Sequence, residues 1–229
     1  MEVALVTVGD ELLAGDTVNT NAAWLGRELA ARGVAVERAT TVPDRIEDIA
    51  EAVSEYRRRY DAVIVTGGLG PTHDDVTMTA VAEAFGVGLE ESQAALDWLA
   101  ENGGYSHEDL ATGTAHIPAG ARPLHNDEGV APGCVIGTVY VLPGVPDEME
   151  AMFERVAEEF AGEASHVEFV EADEPESGLL DRFETLRERF EVKVGSYPGG
   201  TVRVKLEGER SEVERAADWL RANVAAPEE

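Results

Sequence analysis

The stretch Ala62-Val63-Ile64-Val65-Thr66 runs straight into Gly67-Gly68-Leu69-Gly70-Pro71-Thr72-His73-Asp74-Asp75-Val76-Thr77, and it constrains the fold more than any other segment. Five continuous apolar, mostly β-branched residues closed by two glycines read as a strand buried on both faces. Such strands belong to parallel sheets covered by helices. Val76 to Phe85 then follows a helical pattern that Gly86 stops. The same alternation precedes it. Residues 3–8 form a short strand, Asn21–Arg32 a helix with Ala22, Leu25, Leu29 and Ala30 in phase, and 34–36 a second strand. Asp44, with Glu47 three residues on, reads as the cap of a helix whose apolar stripe is Ile46, Ile49 and Val53. The order predicts an α/β fold, a mostly parallel sheet between helices.

Downstream, Ser92–Glu101 reads as a helix, Val139–Leu142 as a strand, and Asp147 as the cap of a helix reaching about Phe160. The pattern changes near Gly162. Strand 166–172, helix 177–190, strands 192–197 and 201–208 around Pro198-Gly199-Gly200, and helix 211–224 predict a small β-α-β-β-α module. The expected division is residues 1–161 and 162–229.

Hydrophobic residues make up 44% of the 229, enough for a core. No apolar run approaches the roughly 20 residues that span a bilayer. The N-terminus carries no signal-peptide pattern, so a cytoplasmic location is expected. The single cysteine, Cys134, stands before Val135 and Ile136 and reads as a buried strand residue. Acidic residues outnumber basic ones by 46 to 18, and only two of the basic ones, Lys193 and Lys205, are lysines. A net charge of −28 repels nucleic acid and anionic membranes, so neither is an expected partner. Charge this large and this dispersed suits high salt and points to a halophilic source.

Three clusters can carry chemistry. In the first, glycines let the backbone approach a phosphate, and the following helix offers free N–H groups and the positive end of its dipole. Thr66, Gly67, Gly68, Gly70, Thr72 and Thr77 are the candidate contacts. The loop lacks the Lys-Ser/Thr ending of a P-loop and is not a GxGxxG fingerprint. Asp74 and Asp75 stand there instead. Carboxylates beside a phosphate repel it unless a divalent cation intervenes, so the loop argues for Mg²⁺ or a similar ion. The plainer reading makes Asp74 a helix cap. In the second cluster, after the first strand, Asp10 and Glu11 could ligate a metal or take protons. Asn19, Thr20 and Asn21 could bind a ligand or cap the next helix. In the third, Pro143-Gly144-Val145-Pro146-Asp147-Glu148, the prolines hold a rigid turn and Gly144 leaves a bare backbone, and Asn126, Gly129, Ala131, Pro132 and Gly133 could line the same pocket. The five histidines show no metal-ligand spacing. Arg57-Arg58-Arg59 reads as a solvated helix end.

These three motifs, in this order, resemble the CinA family of competence/damage-inducible proteins, whose N-terminal domain is of the MoaB/Mog type found in molybdopterin-binding and molybdopterin-adenylylating proteins. The resemblance covers residues 1–160. Glu176-Ser177-Gly178-Leu179 and Gly195-Ser196-Tyr197-Pro198 extend it into the small module. It implies a three-layer fold, usually oligomeric, in which the Gly-rich loop holds a terminal phosphate. It implies catalytic roles for Asp75 with its neighbour Asp74, and it marks Asp44 as a second acidic position. Pro143, Gly144 and Pro146, read from the turn itself, are candidate ligand contacts beside them. In CinA-type proteins the domain is linked to metal-dependent hydrolysis of nucleotide diphosphates such as ADP-ribose. The nicotinamide mononucleotide deamidase domain of full-length bacterial members is not expected in this chain. Two positions depart from the pattern: Leu69 replaces the Thr of Mog enzymes, and Val145 the commoner Pro. Two functions are therefore carried forward. One is a metal-dependent pyrophosphatase acting on ADP-ribose or FAD. The other is a molybdopterin-binding protein without turnover.

Overall fold

The computed structural model describes residues 1–70, 72, 74–103, 115–162 and 165–227. The chain separates into two compact units, Met1–Glu163 and Ala164–Glu229.

The first unit runs β1 (Glu2–Val8), α1 (Asp10–Ala14), α2 (Thr20–Ala31), β2 (Ala35–Val42), α3 (Ile46–Tyr56), β3 (Ala62–Thr66), α4 (Thr77–Phe85), β4 (Leu89–Glu91), α5 (Gln93–Trp98), β5 (His116–Pro118), β6 (Arg122–Leu124), β7 (Gly133–Ile136), β8 (Val139–Leu142) and α6 (Pro146–Glu154). A six-stranded sheet has the order β2-β1-β3-β8-β7-β6. Its β2, β1, β3 and β8 strands are parallel, and the hairpin partners β7 and β6 add an antiparallel edge. Alternation along each strand feeds two cores. Ala4, Val6, Val63, Val65, Val139 and Val141 face Ile49, Val53 and Val81 of α3 and α4. Val3, Leu5, Ile64, Tyr140 and Leu142 face Leu25 and Leu29 of α2 and Met149, Met152 and Phe153 of α6. The unit is thus α/β with a mostly parallel sheet flanked by helices. The ends of β3 and β8 meet where the Gly67 N–H donates to Leu142 O at 3.2 Å, and those of β1 and β2 where the Gly9 N–H donates to Val42 O at 3.1 Å.

Several boundaries differ from the sequence expectation, each for a local reason. Strand β2 extends to Val42 because Glu37, Arg38 and Ala39 are exposed on an edge strand, where polar residues are tolerated. Helix α3 begins after Arg45, and Asp44 does not cap it; Asp44 Oδ2 instead accepts the Asp10 N–H at 2.8 Å. Asn19, not Asn21, caps α2, accepting the Ala22 N–H at 3.0 Å. Val76 holds the N-cap position of α4, so Asp74 is not its cap. Val145 precedes α6, where Pro146 takes the first turn and Asp147 stands beside it as a charge favourable to the dipole rather than as the cap. That helix stops at Glu154, and a 3₁₀ turn over Ala157–Glu159 leads to the buried Phe160. Ser92 caps α5, which ends at Trp98 and continues as a π turn over Leu99–Gly103. Gly104 lies outside the described residues. Arg57 is only half-solvated and lies over the Phe85 ring at 4.3 Å.

The second unit comprises β9 (His166–Ala172), α7 (Leu180–Arg189), β10 (Val192–Pro198), β11 (Val202–Gly208) and α8 (Arg210–Arg221). Its antiparallel sheet has the order β10-β11-β9. Val170, Val204 and Leu206 face Phe183, Leu186, Val213 and Leu220 of the two helices. A 3₁₀ turn over Glu176–Gly178 precedes α7, so the helix starts later than residue 177. Among the described residues, no helix is long and apolar enough to cross a membrane.

Cys134 is fully buried in β7, and burial pushes its thiol from an ordinary value of 9.0 up to about 12. We expect no reaction with a disulfide reagent at pH 8 in the native state and one equivalent after denaturation. The thiol of the unfolded chain ionises first, so the native state loses stability as pH rises through the interval from 9.0 to about 12. The net charge of −28 carries a second expectation. Self-repulsion opposes the compact state and salt screens it. The melting temperature rises as KCl increases from about 0.1 M, where the Debye length is about 10 Å, to about 1 M, where it is about 3 Å. A flat melting temperature across that series would remove the halophilic reading.

Candidate functional site

The loop after β3 is shaped by glycine geometry. Gly67 and Gly68 have φ of +102° and +67°, where side chains are disfavoured. A Cβ on Gly67 would run into Val8 O, and one on Gly68 into Thr77 Oγ1. The Thr77 N–H donates back to Gly68 O at 3.2 Å, closing the loop onto α4. Thr77 itself is 0% exposed, and its hydroxyl has no hydrogen-bond partner.

Asp75 staples the other end. Its Oδ2 accepts the Thr72 N–H at 2.9 Å and lies 2.6 Å from Thr72 Oγ1. Asp74 Oδ1 is 2.5 Å from the same hydroxyl. One hydroxyl proton is thus shared between two carboxylates. A Cβ on Gly70 would displace the Asp75 carboxylate from this position. Pro71 and His73 of this loop lie outside the described residues.

Two cavities flank the point where this loop meets the turn after β8. The larger, of about 440 Å³, is lined by Gly68, Leu69, Gly70 and Asp75 on one side. Gly129–Ala131, Pro143–Val145 and Glu148 line the other. Glu148, which the sequence placed at the end of the third cluster without a role of its own, belongs to this wall. Its Oε2 accepts from Asn126 Nδ2 at 2.7 Å, and Asn126, 1% exposed, also donates to Ala131 O at 3.0 Å. The available signal was its place in the first turn of α6, directly after the Pro-Gly-Val-Pro turn. Gly144 sits between the cavities, and a Cβ there would stand 3.1 Å from Gly67 Cα.

The smaller cavity, of about 90 Å³, is lined by Glu11, Leu12, Thr17 to Asn21, Thr66, Gly144 and Pro146 with Val8. Asn21 is 8% exposed and donates Nδ2 to Gly144 O at 2.8 Å, while its Oδ1 has no partner. Asn19 is committed to structure: its Oδ1 caps α2 and its Nδ2 donates to Thr7 Oγ1 at 2.8 Å.

The candidate residues are therefore distributed rather than gathered. Asp75 lines the large cavity and Glu11 the small one, while Asp10 and Asp44 meet through the Asp10 amide at the ends of β1 and β2. Asp10, Glu11, Asp74 and Asp75 do not form a set with ligand atoms within 4.8 Å. Among the described residues the group that does is His166, Glu168 and Glu214 in the second unit. There the Arg221 guanidinium sits 2.7 Å from Glu168 and holds its carboxyl below the usual range. A cation already occupies that corner.

Residues 4–162 match the family described as "Probable molybdopterin binding domain". The chain belongs to this family. A protein of Archaeoglobus fulgidus is 38% identical over 214 residues, covering 93% of both chains. A CinA-like protein of Frankia casuarinae is 46% identical over 165 residues, which are 67% of this chain and 38% of that protein. The crystal structure of the protein CinA from Thermoplasma acidophilum, described as of unknown function, is 38% identical. It superposes with a TM-score of 0.64 over 69% of this chain and 97% of that one. The first unit is thus a CinA-type, molybdopterin-binding-like domain, and the glycine loop, the Asn19–Asn21 segment and the Pro-Gly-Val-Pro turn converge beyond the C-terminal ends of its central parallel strands.

Proposed function

We propose that the CinA-type domain binds a nucleoside diphosphate ligand of the ADP-ribose or FAD kind and hydrolyses its pyrophosphate bond with a divalent cation. The observation that carries this reading is the large cavity itself. It has bare glycine backbone on one wall and the anchored carboxylates Asp75 and Glu148 beside it. Glycine amides and the N-terminus of α4 suit phosphate oxygens. Each carboxylate is tied through one oxygen, Asp75 to Thr72 and Glu148 to Asn126, which leaves the other for the cavity. Hard oxygen donors of this kind fit Mg²⁺ or Mn²⁺. Asp75, with Asp74 adjacent, would hold such an ion.

When bound, the ion neutralises the diphosphate and lowers the barrier to attack at phosphorus. The chain's own part is to hold the phosphates against Gly67–Gly70 and to place a proton acceptor. Water attacks one phosphorus, its proton passes to the Glu148 carboxylate, and the bridging P–O bond breaks. ADP-ribose then yields AMP and ribose 5-phosphate. Leu69, Val130, Ala131 and Val145 supply an apolar wall for a flat ring.

That wall, with the family description, supports a second reading in which the domain holds molybdopterin without turnover. The two readings part in one assay. AMP release from ADP-ribose or FAD in multimolar KCl, present with Mg²⁺ or Mn²⁺ and abolished by chelator, supports hydrolysis. No release, with saturable molybdopterin binding in calorimetry, supports the binding reading. The resemblance to MoaB/Mog-type domains implies a homo-oligomer, which sedimentation would test.

A further inference from the structure

The geometry points to the small cavity beside Asn21 as a subsite for ribosyl hydroxyls; this rests on the nucleotide reading above. Asn21 is nine-tenths buried within α2, and its amide orientation is not free. The group 2.8 Å away is the Gly144 carbonyl, an acceptor, so the amide nitrogen must face it. The atom left over is Oδ1, an acceptor with no partner. Glu11, in the lining of the same cavity, is a carboxylate and also only accepts. The hydroxyls of Thr17, Thr20 and Thr66 in the same lining can donate or accept, whereas these two groups call for donors from the ligand. A vicinal diol offers two O–H donors and would satisfy both, as acidic side chains do for ribose in dinucleotide-binding folds.

The size agrees. About 90 Å³ exceeds the roughly 30 Å³ that one water occupies in the liquid and suits a group of a few heavy atoms. The placement agrees as well. Gly144 lines both cavities, so one ligand can lay its phosphates along Gly67–Gly70 and a pentose across Gly144. Helix α1, none of whose residues is buried, contributes Glu11 and Leu12 to the cavity wall, and Val18 beyond it is 80% exposed.

Calorimetry with ADP-ribose, ADP and 2′,3′-dideoxy-ADP, in multimolar KCl with Ca²⁺ in place of Mg²⁺, tests the assignment. We expect at least one removal, of the terminal ribose or of the adenosine diol, to weaken binding tenfold or more. Glu11→Gln, at an exposed position, should shrink that step to under threefold while leaving the weakest ligand unchanged. Binding of all three within threefold, or a step that Glu11→Gln leaves intact, would overturn the subsite while sparing the nucleotide reading. Failure of all three to bind would overturn both.

Discussion

Gly68→Ala should destabilise the first unit by about 2–5 kcal/mol, the sum of a left-handed backbone penalty of about 1–2 kcal/mol and overpacking of about 1–3 kcal/mol. Both terms are visible in the loop. Gly68 has φ +67°, and its missing Cβ leaves the space that Thr77 Oγ1 occupies. Chemical denaturation of the first transition measures the effect. Adding Thr77→Ala removes the steric part and should recover some of the loss, whereas the φ penalty stays. A single mutant within 0.5 kcal/mol of wild type, well inside the range of ordinary surface changes, would mean that the loop is not held in this conformation.

Asp75→Asn should lower metal-dependent cleavage of ADP-ribose by about 10²–10³-fold, the usual effect of removing one preorganised electrostatic group. Its fold should survive. The Asn Oδ1 can still accept the Thr72 N–H that now reaches Asp75 at 2.9 Å, so unfolding free energy should change by no more than about 1 kcal/mol, the net worth of one hydrogen bond. Affinity for the nucleotide in the absence of metal should hold or improve, since a negative charge beside the phosphates is gone. Equal loss of stability and activity would reduce Asp75 to a loop staple. Unchanged turnover would remove it from the reaction.

The parallel half of the sheet was legible in the sequence because β1, β3 and β8 are short, continuous apolar runs, each closed by Gly or Pro. The glycine loop was legible for the same reason: two adjacent glycines after a buried strand have few other uses. What was not legible depended on partners distant in the chain. Asp44 looks like a cap from its spacing to Glu47, yet the Asp10 amide, 34 residues away, takes its carboxylate. Asn21 looks interchangeable with Asn19 as a cap or ligand contact. Only the Gly144 carbonyl, 123 residues away, fixes its amide and leaves an acceptor behind. Glu148 could be placed beside the Pro-Gly-Val-Pro turn, but its orientation comes from Asn126 across 22 residues. Local pattern thus identified the elements and the loop, while long-range hydrogen bonds decided which of the acidic and amide side chains reach a cavity.

The most direct test is a crystal structure of the domain with Mg²⁺ and the α,β-methylene analogue of ADP-ribose, which cannot be cleaved at the bridging position. The account predicts the two phosphorus atoms against the Gly67–Gly70 backbone, the cation on Asp75 and a ribosyl group at Asn21. Phosphates seated elsewhere in the first unit, or a saturated complex that leaves the glycine loop bare, would contradict it.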